Sequence, residues 1–189
     1  MTATLSVLRT GPMTTVQDRG RPGLLAMGVS GSGPMDPPLF AIANALVANP
    51  EDAAGLEFAG FGGAFAATAP VRIAVAGEAE VRIGAEVVPA WQSHDLLPGQ
   101  TLAVGALRSG VWGYLAISGG IATPEVLGSR ATHLRTGLGG LEGRPLRAGD
   151  ALALGAAEDA PCLRLPWPFA RGEGPIRVIP GPQDDYFDD

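Results

Sequence analysis

The sequence predicts a mainly β domain, a barrel of short strands with one helix packed on it. Three observations carry that prediction. Short apolar runs recur at roughly ten-residue spacing, turns containing Gly and Pro separate them, and a single segment shows helical rather than alternating periodicity.

In chain order the expected strands are Leu5–Arg9, Thr14–Gln17, Leu56–Phe58, Val71–Ala76, Val81–Ile83, Thr101–Val104, Val111–Ile117 and Ala151–Leu154. Val71-Arg72-Ile73 and Val81-Arg82-Ile83 carry one pattern on either side of Gly77-Glu78, which reads as a hairpin. Gly99–Gly105 (GQTLAVG) and Gly149–Gly155 (GDALALG) resemble each other and read as two turn-to-strand units of a barrel. The helix begins at Asp36, whose carboxylate suits the N-cap, with Pro37 in the first turn. Leu39, Ile42, Ala43, Leu46 and Val47 then form one apolar stripe, and Asn49-Pro50 stops it.

Beyond Ala156 the pattern loosens, with Pro161, Pro166, Pro168 and Pro175 close together. The expected organisation is a β-barrel domain over residues 1–160, a Pro-rich linker over 161–175, and a new strand at Ile176–Ile179 within 176–189, the start of a truncated second barrel.

Composition narrows the function classes. The chain has 189 residues, 46% of them hydrophobic, which is enough to bury a sizeable core despite 28 glycines and 17 prolines. A net charge of −6 argues against a nucleic-acid partner, because nothing here would neutralise a run of phosphates. No apolar stretch is long enough to span a membrane and Met1–Val7 has no signal-peptide pattern. With a single cysteine, Cys162, the expectation is a cytoplasmic protein. All 13 basic residues are arginine, so the chain holds no phosphate-loop, Schiff-base or biotin-bearing lysine.

Three loops concentrate chemistry. Thr14–Gly23 (TTVQDRGRPG) packs Gln17, Asp18, Arg19 and Arg21 into a turn, either a salt-bridged barrel closure or a site for a small substrate with carboxylate and amide groups. Gly28–Asp36 (GVSGSGPMD), with Ser32, runs into the helix start, so Asp36 acts as a cap, or the loop's N–H groups hold an anion, or both. Gly128–Gly140 (GSRATHLRTGLGG) offers Arg130, Thr132 and Arg135, as a carboxylate clamp or as solvated arginines. His94 and His133 show no metal-ligand spacing, so no metal is expected. Glu57 interrupts an apolar strand, as a buried acid or an outward-facing residue.

These loops, in this order, resemble a family known by three names: the 5-oxoprolinase C subunit, biotin-dependent carboxyltransferase, or allophanate hydrolase subunit 2. The resemblance rests on TTVQDRGRPG, GSGPMD, ANALVANPEDAAGLE, YLAISGGI, VLGSRATHLR and VIPGPQDD. It implies a pair of cyclophilin-like β-barrels acting in an oligomer or complex with B-type and A-type 5-oxoprolinase proteins. It implies ATP-dependent opening of 5-oxoproline to glutamate, with the ATP handled by the complex. Two other activities occur under the same resemblance: carboxyl transfer from a partner's biotin to urea or a similar amide, and regulation as the partner of a histidine-kinase inhibitor. Under it, Asp18 and Asp36 are expected to be catalytic, with Gln17, Arg19, Ser32, Arg130, Thr132, Arg135 and Gln183 binding the amide or lactam substrate.

Overall fold

The computed structural model describes residues 3–166, 169, 174–175, 177–179, 181–182 and 186. Eleven strands and one α-helix form among them: β1 (Thr4–Thr10), β2 (Thr15–Gln17), α1 (Pro37–Leu46), β3 (Gly55–Ala59), β4 (Phe61–Ala67), β5 (Val71–Ala76), β6 (Ala79–Ile83), β7 (Glu86–Val88), β8 (Ser93–Leu96), β9 (Leu102–Leu107), β10 (Trp112–Ile117) and β11 (Ala151–Ala153). All ladders are antiparallel. They make a six-stranded sheet in the order β11-β1-β4-β9-β6-β7 and a five-stranded sheet in the order β2-β3-β10-β5-β8. The mainly β architecture with one packed helix is the one the sequence predicts.

The two sheets share one core, which alternation along the strands builds. In β10, Leu115 and Ile117 enter that core, while Tyr114 and Ala116 face the opposite way, under α1. In β5, Ile73 and Val75 point inward, and Ala74 and Ala76 turn their small side chains to the helix. Each buried Leu, Ile or Val contributes roughly 1.5–3 kcal/mol relative to exposure. Helix α1 starts as expected: Asp36 Oδ1 accepts from Leu39 N at 3.4 Å, and prolines occupy the first turn. Gly55 in β3 leaves little spare room beneath it, since a Cβ there would come within 3.1 Å of the Leu115 carbonyl and 3.3 Å of the Phe40 ring.

One expectation fails. Val71–Ala76 and Val81–Ile83 do not form a hairpin; β5 pairs with β10 and β8, whereas β6 pairs with β7 and β9 in the other sheet. Burial explains the separation. Strand β5 is covered on both faces, which suits a place between two strands and below the helix, whereas β6 alternates buried and exposed. Three strands absent from the sequence reading also appear: β4, β7 and β8. Strand β4 (FGGAFAA) lacks the β-branched alternation that marks strands, yet its small residues let it sit between β1 and β9.

Part of the segment expected as a linker is docked on the sheet. Ser93 N donates to Leu163 O and Leu165 N to Trp91 O, both at 2.8 Å, and Phe169 stacks on Trp91 at 5.8 Å. At the expected strand Ile176–Ile179, the described residues 177–179 are in no strand, and Val178 and Ile179 are exposed. No helix among the described residues is long and apolar enough to cross a membrane.

Candidate functional site

The three chemistry-bearing loops converge at the end of β2. Two buried charged residues draw them together. Asp18 accepts from Gly20 N at 2.8 Å, from the Ser129 hydroxyl at 2.6 Å and from Arg130 N. Arg21, only 2% exposed, donates to Ala131 O at 2.6 Å, Ser32 Oγ at 3.1 Å and Val126 O at 3.3 Å. Among the described residues no carboxylate lies in ion-pair range of Arg21, so carbonyl dipoles compensate its charge. Gly139 is needed here: its φ is +66°, and a side chain on it would strike both Ala131 O and the Arg21 guanidinium.

Beside this knot lies a cavity of about 280 Å³, whose polar lining includes Gln17, Ser32, Glu57, Thr132 and Arg135. That volume lies just below the range for small-molecule sites, ~300–1,000 Å³. Sheet register places its floor. Glu57 of β3 lies between Thr15 of β2 and Tyr114 of β10 as direct cross-strand partners, so the three share one face. Gln17, two residues beyond Thr15, lies on that face as well.

Glu57 is the buried acid of the two readings. Its Oε2 accepts from Met35 N at 2.7 Å and from the Tyr114 hydroxyl at 2.8 Å. Burial pushes its carboxyl above the ordinary value, and those two donors offset this only partly. Burial and the neighbouring Glu57 also raise Tyr114, which therefore remains a phenol and a donor. Tyr114 accepts in turn from Asp36 N at 2.8 Å. The N–H groups of Met35 and Asp36 thus go to Glu57 and Tyr114 rather than to an anion.

The structure distributes the expected site residues unequally. Gln17, Ser32, Thr132 and Arg135 meet at the cavity. Arg19 is exposed, ion-pairs Glu51 at 3.4 Å and lines a separate cleft. Arg130 turns its guanidinium to Thr123 O and Glu125. Asp18, expected to be catalytic, is taken up by three donors inside its own loops, and Asp36 caps α1. Gln183 lies outside the described residues. Sequence reasoning placed Arg21 in the first loop without giving it a role of its own, and left Tyr114 out. Glu57 was visible as a polar break in an apolar strand, but nothing in the pattern said that Tyr114 and Met35 close over it. No cluster of His, Cys, Asp and Glu among the described residues suits a metal ion.

A two-sheet β domain with a small polar cavity at the end of its second sheet is the class that fold and site define. The chain belongs to the carboxyltransferase domain family, subdomains A and B, whose model matches residues 27–189. It is similar to the 5-oxoprolinase C subunit of Escherichia coli (strain K12), at 36% identity over 197 residues, 97% of this chain and 60% of that protein. Urea amidolyase of Lachancea kluyveri is 37% identical over 178 residues, 93% of this chain and 10% of the larger protein. The crystal structure of Kluyveromyces lactis urea carboxylase matches with a TM-score of 0.78 and 37% identity, over 80% of this chain and 14% of that one. The chain therefore spans less than two thirds of the length of these relatives.

Proposed function

We propose that the protein acts as the C subunit of an ATP-dependent 5-oxoprolinase, opening 5-oxoproline to glutamate together with A-type and B-type partner proteins. One observation carries this reading: a small cavity combines a buried amide and acid, Gln17 and Glu57, with Arg135 in its lining. Arg135 is exposed and has no ion pair among the described residues. 5-Oxoproline presents the complementary groups, a lactam for the floor and a carboxylate for the guanidinium. Ser32 and Thr132 supply further polar lining. The lysine-free sequence offers no phosphate-loop lysine, so these residues supply no phosphate loop for ATP.

The test is glutamate release from 5-oxoproline by the protein mixed with its partner proteins, with and without ATP. ATP-dependent release that disappears when this protein is omitted supports the reading, and an intact complex that releases nothing overturns it. A second reading, biotin-dependent carboxyl transfer to urea or a similar amide, is favoured by the family match and the urea-metabolising relatives. It requires biotin on a partner's lysine and predicts bicarbonate dependence and inhibition by avidin.

A further inference from the structure

His133 lines the same cavity as Gln17, Glu57 and Arg135, and it is only partly exposed. The chain fixes it from both sides. Immediately before it, Thr132 N and Thr132 Oγ1 both donate to Val16 O of β2, each at 2.9 Å. Immediately after it, the loop turns back through Gly137, whose φ is +65°. His133 N then donates to Leu138 O at 2.8 Å, and Thr136 N to His133 O at 3.2 Å. The same turn sets the ring, because Nδ1 lies 2.6 Å from the Thr136 hydroxyl.

Nε2, on the other side of the ring, makes no hydrogen bond among the described residues. The buried side-chain nitrogens and oxygens left without a partner there are Gln17 Oε1 and Thr123 Oγ1, so Nε2 is reachable rather than sealed. When Nδ1–H donates to Thr136 Oγ1, the proton that comes and goes is the one on Nε2. The other titratable groups in the lining do not fit that task. Arg135 keeps its proton. Glu57 takes two hydrogens on Oε2, from Met35 N–H and the Tyr114 hydroxyl, and is set as an acceptor. Imidazole both gives and takes a proton near neutrality, which is what acid–base catalysis needs.

We propose that His133 is a catalytic residue that delivers a proton to the leaving nitrogen of the lactam, with Thr136 as its positioning residue. The inference deepens the 5-oxoprolinase reading and rests on it for the substrate. In the step, the oxygen of a water adds to the lactam carbonyl carbon, the C–N bond breaks, and its electron pair passes to nitrogen. Nitrogen takes the proton from Nε2, and the proton released by the attacking water returns to Nε2. One water is consumed for each ring opened, and the imidazolium is restored.

The test measures glutamate release from 5-oxoproline by the assembled complex with ATP, comparing the unsubstituted protein with His133→Ala. The expected result is a kcat at least ~100-fold lower, with KM within about threefold. The thermal midpoint should stay unchanged, since the turn is held by main-chain hydrogen bonds. Added imidazole should raise the rate of His133→Ala with concentration, a response that a packing role would not produce. His133→Gln, which keeps a polar group without a transferable proton, should be as slow. Thr136→Val should lower kcat by up to about 10-fold, and Thr136→Ser should restore it. A kcat within about threefold of the unsubstituted value in either His133 variant overturns the proposal, as does a His133→Ala rate that imidazole leaves unmoved. Undiminished release by His133→Ala would sink only the role of this residue. An unsubstituted complex that releases nothing would sink the 5-oxoprolinase reading and this inference with it.

Discussion

The knot around Asp18 and Arg21 and the cavity floor around Gln17 and Glu57 sit side by side and use the same kinds of side chain, yet they are finished differently. Asp18 has three donors and Arg21 at least three acceptors, all from the chain itself. Gln17 Oε1 and Glu57 Oε1 have none among the described residues. A saturated polar group can build structure but has little left to offer a ligand. An unsaturated one is costly to the fold, and the cost is recovered when a ligand arrives. The difference teaches that charge alone is a poor guide to function here.

The sharpest way to break this comparison is Arg21→Ala. It removes a buried cation and strands the carbonyls of Val126 and Ala131 and the Ser32 hydroxyl, in a space the neighbouring backbone cannot easily fill. Loss of stability by about 3 kcal/mol or more is expected, because several buried acceptors lose their donor together. At roughly 2–4 °C per kcal/mol for a chain of this size, the thermal midpoint should drop by about 6–12 °C. An unchanged midpoint would mean that water replaces the guanidinium and that the knot is not a structural device.

That the loops meet at all was only partly legible in the sequence. The arginine-, glycine- and hydroxyl-rich composition of 14–23 and 128–140 marked both as unusual, but composition cannot distinguish a donor turned inward from one turned to a ligand. Arg19 and Arg21, two residues apart in one turn, look alike in sequence, yet one is exposed and the other is buried. The helix was legible down to its cap because Asp36 and Pro37 act locally. Strand β4 was not, because its place between β1 and β9 depends on distant partners, and glycine and alanine carry no strand signature of their own. The equal-looking Val-Arg-Ile triplets misled for the same reason: which sheet a strand joins is decided by what covers its faces.

A middle-sized effect sharpens the comparison from the cavity side. Glu57 has a raised pKa in the folded protein relative to the ordinary 4.5, so the folded state holds this proton to higher pH than the unfolded chain does. Its contribution to stability therefore falls as pH rises from the unfolded value through the folded one, and then levels off. Asp150 runs in the opposite sense. The Arg144 side chain beside it lowers its pKa, so its contribution is present above the unfolded value and lost as pH falls. Glu57→Gln should abolish only the first of these trends, leaving the variant relatively more stable at neutral pH than in acid. Urea unfolding midpoints of both proteins across the acid-to-neutral range measure it, and parallel curves would place the Glu57 titration at its ordinary value.

The smallest effect is expected where the sequence looked most chemical. Arg19 reaches Glu51 at 3.4 Å, but the two side chains are 66% and 72% exposed, so water and salt screen the pair and its geometry costs side-chain entropy. Arg19→Ala should change stability by no more than about 0.5 kcal/mol. It should also leave kcat/KM for 5-oxoproline in the assembled complex near that of the unsubstituted protein, because Arg19 lines a cleft other than the one holding Gln17 and Glu57. Steady-state kinetics on the complex decide the matter. A fall of tenfold or more in kcat/KM, with the fold intact, would move the substrate toward the Arg19 cleft and make the saturated side of the molecule the functional one.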